Sequence, residues 1–314
     1  MRAIAITEFG ADPEIVQLPA PEPAPDELFV RIRAAGYNPV DLKIASGAMK
    51  NTMPYRFPMI LGVDGAGVVE AVGVEVTRFK PGDEVYGRFL DTARGLGSYA
   101  EYGVVSQDGP VALMPKGMIA EQAAAVPTAT CTAHDLVETA RLDTGQTVLI
   151  VGATGGVGQS AIQLAALRGA RVIASASPDA DELMRELGAV EIADRLVSPI
   201  AEQVLDRHPD GLDAVFDLVS PADSIEQMAE LLHPGGVIIS TIHSLDPSSP
   251  SYREIRAVNL LVKPTGQLLS VLADLIDGGQ LRVHIESQVP FDQAPALLRD
   301  IAHGHARGKT VIKI

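Results

Sequence analysis

Hydrophobic and polar residues alternate in short runs over the first 110 residues of the chain, and stretches rich in Pro and Gly separate these runs. Alternation with a period of two predicts half-buried strands. Many short strands with turn residues between them are typical of a small barrel. The predicted strands cover residues 1–7, 27–35, 67–72, 84–87 and 100–105.

From residue 119 onward the pattern alternates between helical and strand-like periods. Helices that alternate with short apolar strands predict a parallel sheet covered by helices. The tail from residue 280 returns to short strands around one helix, so we expect an α/β domain inserted near the end of a β-rich one. Helices are predicted at residues 119–125, 130–141, 224–232 and 268–277, and strands at residues 148–151, 171–175, 213–218, 236–241 and 257–262.

A glycine-rich turn, GATGGVG at residues 152–158, lies between a predicted buried strand and a predicted helix. It contains two imperfect matches to the G-x-G-x-x-G spacing of dinucleotide-binding turns. Small residues let the backbone approach a pyrophosphate, and the N–H groups of the helix start attract its charge. The alternative is an ordinary tight turn that binds nothing. The residues predicted to contact the cofactor here are Ala153, Thr154, Gly155, Gly156, Val157 and Gly158.

The end of the next predicted strand indicates which cofactor is bound. NAD-binding folds place an acidic residue there to hold the ribose 2′-OH. This chain has Ser175 and Ser177 instead, which tolerate a 2′-phosphate, so NADPH is predicted as the cofactor. The alternative is that these serines only cap the helix start at Pro178.

Composition limits the classes of partner. The 314 residues suggest two domains, and a net charge of −15 without a Lys/Arg run argues against nucleic acid and anionic membranes. No apolar run approaches the length of a membrane span, and no signal peptide is evident, so a cytoplasmic location is predicted. The single cysteine, Cys131, excludes a disulfide framework and is expected to be buried. His303 and His305 are expected to be surface histidines.

Several longer stretches together resemble the zinc-free quinone oxidoreductase branch of the medium-chain dehydrogenase/reductase superfamily. The resemblance covers essentially the whole chain and implies a GroES-like catalytic domain, a Rossmann NADP-binding domain and a homodimer. The implied boundaries are residues 1–119 with 265–314 for the first domain and residues 120–264 for the second. The matching stretches are AAGYNPVDLKIASG at 34–47, LGVDGAGVVEAVG at 61–73, RFKPGDEVYG at 78–87, GSYAEY at 97–102, AAAVPTATCTAHDL at 123–136, ELGA at 186–189, LLHPGGVIIS at 231–240 and GHARGKTVIKI at 304–314.

The resemblance also implies that no catalytic metal is bound. The places that match the zinc ligands of zinc-bearing relatives hold Asn38, Val63 and Thr128, and none of them offers a thiolate or an imidazole. Asp64 takes the place of an acid that lies beside the zinc in those relatives. Without a Lewis acid, the substrate is expected to be a hydrophobic electrophile, such as a quinone or an activated alkene. Asn38 and Tyr55 are the candidate catalytic residues. The alternatives are that Asn38 is only a turn residue before the proline that follows it and that Tyr55 is only a packed loop aromatic.

The remaining cofactor contacts are likewise implied by the resemblance. Relatives often place a Lys after the second strand for the 2′-phosphate, and this chain lacks it there, so Arg195 is expected to compensate. The other residues expected to contact the cofactor are Asn38, Thr128, Val219, Thr241 and Ile242.

Three alternatives to quinone reduction stay open. The first is reduction of the C=C bond of an enone or enoyl chain, which the sequence does not separate from quinone reduction. The second is an NADPH-binding sensor or structural protein with little catalysis. The third is a zinc alcohol dehydrogenase.

Overall fold

The computed structural model describes residues 1–301 and 308–314, so His303 and His305 lie outside the described residues. The chain divides into two compact units. Unit 1 comprises Met1–Ala129 and Pro264–Ile314, and unit 2 comprises Thr130–Lys263. Unit 1 extends ten residues past residue 119 because the helix that follows packs on its strands.

The strands and α-helices of the described residues are numbered in chain order. The strands are β1 (Arg2–Ile6), β2 (Glu14–Gln17), β3 (Glu27–Gly36), β4 (Met59–Ile60), β5 (Asp64–Val72), β6 (Glu84–Arg88), β7 (Tyr102–Ser106), β8 (Val111–Leu113), β9 (Thr147–Val151), β10 (Arg171–Ser175), β11 (Ala189–Ala193), β12 (Leu212–Asp217), β13 (Leu232–Ser240), β14 (Arg256–Asn259), β15 (Ile285–Pro290) and β16 (Lys309–Lys313). The helices are α1 (Pro39–Ala45), α2 (Ala120–Ala124), α3 (Pro127–Ala140), α4 (Gly156–Leu167), α5 (Asp181–Glu186), α6 (Ile200–Arg207), α7 (Ala222–Ala229), α8 (Gly266–Asp277) and α9 (Ala294–Ile301).

Unit 1 is built on a mostly antiparallel sheet. Its strand order is β15-β16-β3-β5-β6-β8, with β7 paired to β3. Among the described strands of this sheet, β15 and β16 form the one parallel pair. Strand β3 shows why the alternating pattern folds this way, since Leu28, Val30 and Ile32 are buried while Arg31 and Arg33 are exposed. A small antiparallel sheet, β2-β1-β4, completes the strands of the unit.

Unit 2 is built on a parallel six-stranded sheet of order β11-β10-β9-β12-β13-β14. This order places the first strand, β9, in the middle and reverses the winding between β9 and β12, which is the doubly wound arrangement. The strands are continuous apolar runs because both faces of such a sheet are buried. Leu149, Ile173, Val215 and Ile238 form part of its core and are fully buried.

The predicted strands and helices are present, with shifted ends. Helix α7 begins two residues before the predicted residue 224, and β13 begins four residues before the predicted residue 236. Cys131 is buried in α3, as predicted. In the described part of the chain, no helix combines the length and apolar character needed to span a membrane. The elements that the sequence pattern did not predict are β2, β4, β8, β11, α1 and α6.

Candidate functional site

The start of helix α1 places Asn38 in the interior of unit 1. Asn38 is the residue before Pro39, whose fixed φ suits the first helical position. The Asn38 backbone N–H donates to Asp41 Oδ2 at 2.8 Å, which is one half of a capping box. The Asn38 side chain is left for other partners, although the residue is only 4% exposed.

The carboxylate of Asp64 accepts hydrogen bonds from Asn38 and Thr128, two residues that the resemblance matches to zinc ligands. Asn38 Nδ2 donates to Asp64 Oδ2 at 2.8 Å, and Thr128 Oγ1 donates to Asp64 Oδ1 at 2.7 Å. The Thr128 backbone N–H, in the first turn of α3, also donates to Asp64 Oδ2 at 2.9 Å. Asp64 is fully buried, so these three donors take the place of water around both of its oxygens.

Lys309, from the last strand of unit 1, fixes the orientation of the Asn38 amide. Its Nζ donates to Asn38 Oδ1 and to the carbonyl oxygen of Tyr37, both at 2.7 Å. Burial lowers the pKa of Lys309, while the charges of Asp64 and Asp41 raise it. Because the ammonium is a donor only, Asn38 must turn its oxygen to Lys309 and its NH₂ group to Asp64.

Asp41 is a second buried carboxyl group in the same network. In addition to the hydrogen bond from the Asn38 N–H, it accepts one from the Tyr99 hydroxyl at 2.9 Å and one from the Val63 N–H at 3.0 Å. Burial raises the pKa of Asp41 to about 7 from its ordinary 3.8, against the lowering effect of the Asn38 and Tyr99 hydrogen bonds. Burial and then the Asp41 charge raise the pKa of Tyr99 well above 10.

The donor set of this network does not fit zinc. Asn38 and Thr128 direct their side chains to Asp64, and Val63 has an apolar side chain, while its backbone N–H donates to Asp41. Zinc is bound by thiolate, imidazole or carboxylate ligands, usually four in tetrahedral array. Within residues 1–301 and 308–314, no group of three or more His, Cys, Asp or Glu side chains is placed to hold a metal ion.

Tyr55 lies elsewhere in unit 1, in the loop after α1. Its hydroxyl donates to the Met49 carbonyl oxygen at 3.1 Å, and its ring meets the Phe9 ring edge-on with centroids 5.0 Å apart. The half-buried phenol is therefore held by the loop, and its hydroxyl proton is directed at a carbonyl group. Its catalytic role stays a prediction.

In unit 2 the glycine-rich turn joins β9 to α4. Gly152 has φ +84°, a conformation that favours glycine, and Gly155 caps the helix in an extended conformation. A Cβ atom on Gly158 would lie 2.5 Å from the carbonyl oxygens of Gly152 and Ala153, so the turn can pack against the helix only with glycine there. The sequence therefore requires this tight strand-to-helix connection.

The same turn leaves backbone N–H groups open to a ligand. A Cβ on Gly155 would meet its nearest atom, Gly152 O, at an ordinary 3.5 Å, so the space beyond Gly155 is open. The N–H groups of Gly156, Val157 and Gly158 precede the first bond of the helix, which Gln159 N–H donates to Gly155 O. Helix starts of this kind attract phosphate groups, so the turn fits a diphosphate. Ala153 is buried, and the Thr154 carbonyl accepts Gln159 Nε2 at 2.9 Å.

The loops after β10 and β11 place the residues predicted near the 2′-phosphate. Ser175 and Ser177 are both buried, and the Ser177 hydroxyl donates to Asp179 Oδ1 at 2.6 Å. Arg195 is exposed on the loop after β11. Because β10 and β11 are parallel neighbours, both loops leave the same edge of the sheet. The sequence analysis did not predict this contact between Ser177 and Asp179.

Asp217, which the sequence analysis did not single out, organises the loops after β12 and β13. Its Oδ1 accepts the N–H groups of Val219 and Ser220 at 3.1 and 2.7 Å, and its carbonyl accepts Thr241 N–H at 3.2 Å. Val219 is exposed beside Gly152, and Ile242 N–H donates to Ser240 Oγ at 3.3 Å. The glycine turn and these loops leave the carboxyl edge of the sheet, where the strand order reverses and doubly wound sheets bind ligands.

Comparison with known proteins agrees with this architecture. Residues 24–116 match the alcohol dehydrogenase GroES-like domain, and residues 187–312 match the zinc-binding dehydrogenase family. The chain is 33% identical to 2-methylene-furan-3-one reductase of Solanum lycopersicum and 31% identical to NADPH-dependent alkenal/one oxidoreductase, chloroplastic, of Arabidopsis thaliana. Each alignment covers 99% of this chain and 79% of the relative.

A solved structure extends the similarity over the whole chain. The quinone oxidoreductase from Coxiella burnetii superposes with a TM-score of 0.88 at 30% identity, covering 100% of this chain and 99% of that one. The predicted fold class, a GroES-like domain with a Rossmann domain, is thereby confirmed. The chain belongs to the medium-chain dehydrogenase/reductase superfamily, in its quinone oxidoreductase-like branch, and is an oxidoreductase.

Proposed function

We propose that the protein is an NADPH-dependent, zinc-independent reductase that transfers hydride to a quinone or another activated alkene or carbonyl acceptor. The observation that carries the proposal is the open start of α4 at Gly155, located where the strand order of unit 2 reverses. The names of the relatives support a nicotinamide cofactor and acceptors of this class.

The proposed binding mode follows from the glycine turn. The N–H groups of Gly156 and Val157 bind the cofactor diphosphate, and the helix dipole adds to the attraction. The loops after β12 and β13, with Val219, Thr241 and Ile242, flank the rest of the dinucleotide. When bound, the nicotinamide supplies the hydride.

The polar network of unit 1 favours an acceptor that is already electrophilic. An unactivated alcohol or ketone needs a Lewis acid, and the Asn38, Val63 and Thr128 positions do not fit one. A quinone or an α,β-unsaturated carbonyl needs only position and hydrogen bonds to the oxygen that gains charge. The Asn38 amide is bonded on both sides, by Lys309 and to Asp64, so we assign it to holding the shape of this site.

A preference for NADPH over NADH rests on the balance of charges near the 2′-phosphate. Ser175 and Ser177 carry no charge, and Arg195 offers a guanidinium that suits a phosphate. Asp179, bonded to Ser177, opposes it. We propose that Arg195 outweighs Asp179, because its guanidinium has no carboxylate partner among the described residues and is exposed.

A turnover comparison tests the proposal. The protein as purified is mixed with NADPH and either 1,4-naphthoquinone or an alkyl enone, and the loss of reduced-nicotinamide absorbance is followed. We expect oxidation with at least one acceptor, unchanged by EDTA, and no stoichiometric zinc by metal analysis. Enone turnover without quinone turnover would identify a C=C reductase. NADPH binding without oxidation across both acceptors would contradict catalysis and favour a sensor.

We also propose a homodimer. Strand β14 is at the edge of the unit 2 sheet, with β13 on one side, and the neighbouring Leu261 is 69% exposed. An unpaired edge beside an exposed apolar residue suits pairing with a second copy. Size-exclusion chromatography with light scattering measures the mass. The cytoplasmic location stays a prediction.

A further inference from the structure

Arg88 lies opposite Asp64 across two paired strands of unit 1. Arg88 is the last residue of β6, and the register of the antiparallel β5–β6 pair places it directly across from Asp64. Side chains at directly opposed positions leave the same face of a sheet, with their Cβ atoms about 5 Å apart. Arg88 is therefore on the face of the sheet that carries the Asp64 carboxylate and its partners Asn38 and Thr128.

Among the residues that the structure describes, none forms a hydrogen bond or ion pair with the guanidinium of Arg88. Its Nε is buried and lacks a hydrogen-bond acceptor. Within residues 1–301 and 308–314, its side chain forms no hydrogen bond and no ion pair, although the residue is partly buried. Other arginines of the described chain are either paired, as Arg31 is with Glu70 at 2.7 Å, or exposed, as Arg195 is. The buried Nε is costly as it stands, because it has lost water without gaining an acceptor.

The neighbouring carboxylate does not satisfy Arg88. Both oxygens of Asp64 already accept hydrogen bonds, one from Thr128 Oγ1 and the other from Asn38 Nδ2 and the Thr128 N–H. Asp64 therefore has hydrogen bonds to both of its oxygens without Arg88. The chain as a whole carries 40 acidic residues and 25 basic ones. With so many carboxylates available, an unpaired arginine beside the proposed reaction site indicates that its acceptor comes from a ligand.

We propose that Arg88 binds an anionic oxygen group of a ligand of this enzyme. The planar guanidinium presents parallel N–H donors that match a carboxylate or a phosphate. Two sources offer this chemistry: an acidic group on the acceptor substrate, and a phosphate of the cofactor. The inference rests on the proposed function for the identity of these ligands.

Variants of Arg88 separate the two sources. Arg88→Met removes the charge and keeps an apolar stem, and Arg88→Lys keeps the charge without the forked donors. Arg31→Met is the matched control, because Arg31 is on the same sheet with a surface carboxylate as partner. NADPH affinity is measured by fluorescence titration without acceptor, and kcat/KM is measured for 4-oxo-2-pentenoate and for its methyl ester.

An acidic acceptor predicts that Arg88→Met lowers kcat/KM for the free acid at least about tenfold, with the ester and the NADPH affinity changed less than about twofold. A cofactor phosphate predicts instead a similar loss of NADPH affinity, with both acceptors affected equally. In either case Arg88→Lys is intermediate and Arg31→Met behaves as the unchanged protein. Equal NADPH affinity and an equal acid-to-ester ratio in the unchanged protein and both Arg88 variants would overturn the inference.

A binding measurement keeps this result separate from the proposed function. Inorganic pyrophosphate and 4-oxo-2-pentenoate are titrated into the unchanged protein and Arg88→Lys by calorimetry, which needs no turnover. Weaker binding of either anion to the variant supports the anion site even if NADPH is never oxidised. If turnover is normal and Arg88→Lys binds both anions as tightly as the unchanged protein, the Arg88 assignment is wrong and the proposed function is unaffected. If Arg88→Met does not fold, Arg88→Lys carries the comparison.

Discussion

Replacing Lys309 by Met should destabilise unit 1 far more than a surface lysine substitution does. Lys309 is 6% exposed, and its ammonium donates to Tyr37 O and Asn38 Oδ1 at 2.7 Å. It is also the cation whose charge acts on both buried carboxyl groups, Asp41 and Asp64. Methionine fills a similar volume but provides neither the charge nor the donors.

The magnitude follows from what the substitution leaves behind. Lys309 compensates the two carboxyl groups through its charge rather than by direct contact. Breaking a buried ion pair that is in contact costs about 3–5 kcal/mol, so the low end of that range applies here. Two acceptors also lose their donor, at about 1–3 kcal/mol each in general. Methionine avoids the desolvation that lowers the pKa of Lys309, which offsets part of the loss. We therefore expect a net loss of about 3 kcal/mol in the free energy of unfolding of unit 1.

Urea unfolding followed by far-ultraviolet circular dichroism measures this loss. With a urea dependence of about 1–3 kcal/mol/M, the midpoint for unit 1 should fall by about 1 M or more. Lys313→Met is the control, since Lys313 is on the same strand, its side chain is 52% exposed and it pairs with Glu121 at 3.3 Å. An exposed pair contributes about 0–1 kcal/mol. If the two variants lose the same small amount of stability, Lys309 does not hold the network together.

Three further predictions concern the turn, the buried carboxyl group and the cofactor preference. Gly158→Ala should lower the free energy of unfolding by about 1–3 kcal/mol, because its Cβ would lie 2.5 Å from two carbonyl oxygens. Gly155→Ala should keep the stability and lower the NADPH affinity at least about tenfold. Urea unfolding measures the first effect, and fluorescence titration measures the second. Because the pKa of Asp41 is raised from 3.8 to about 7 in the folded state, its stabilising effect is full below pH 3.8 and is lost as the pH rises through about 7, a change of up to about 4 kcal/mol. Asp41→Asn should remove this fall in the urea midpoint between about pH 4 and about pH 7, and an unchanged slope would exclude Asp41 as its source. Arg195→Gln should reduce the ratio of NADPH to NADH affinity about tenfold, while a ratio equal to that of the unchanged protein would show that another group holds the 2′-phosphate.

The sequence predicts elements whose signal is local. Strand β9, the glycine turn and α4 follow from an apolar run, small residues and helical spacing within 20 residues. Strands β4 and β8 were missed because two or three residues are too few to show alternation. Helix α1 was missed because its seven residues form only about two turns, too few to show a helical period.

The part of the site formed by neighbouring residues in a turn was predictable, and the part formed by residues distant in sequence was not. The turn residues depend on neighbours in sequence, so their spacing carries the information. The Lys309–Asn38 contact joins residues 271 positions apart, and neither residue carries a local signal for the other. The Ser177–Asp179 hydrogen bond was missed for another reason. Acidic residues are common at a helix start because they interact favourably with the helix dipole, so Asp179 gave no separate signal.

The three positions that match the zinc ligands of relatives still bring the same segments together here, by other means. The resemblance implies that a zinc-bearing relative would use a cation to join the segments that hold Asn38, Val63 and Thr128 here. In this chain Asp64 at the start of β5 binds Asn38 before α1 and Thr128 in α3, while Val63 binds Asp41 through its N–H. The positive charge comes from Lys309, which reaches the amide of Asn38 from β16. An ammonium satisfies buried acids as a metal does, but it offers no empty coordination position to a substrate oxygen. This arrangement is the structural reason for proposing an acceptor that needs no metal to be reduced.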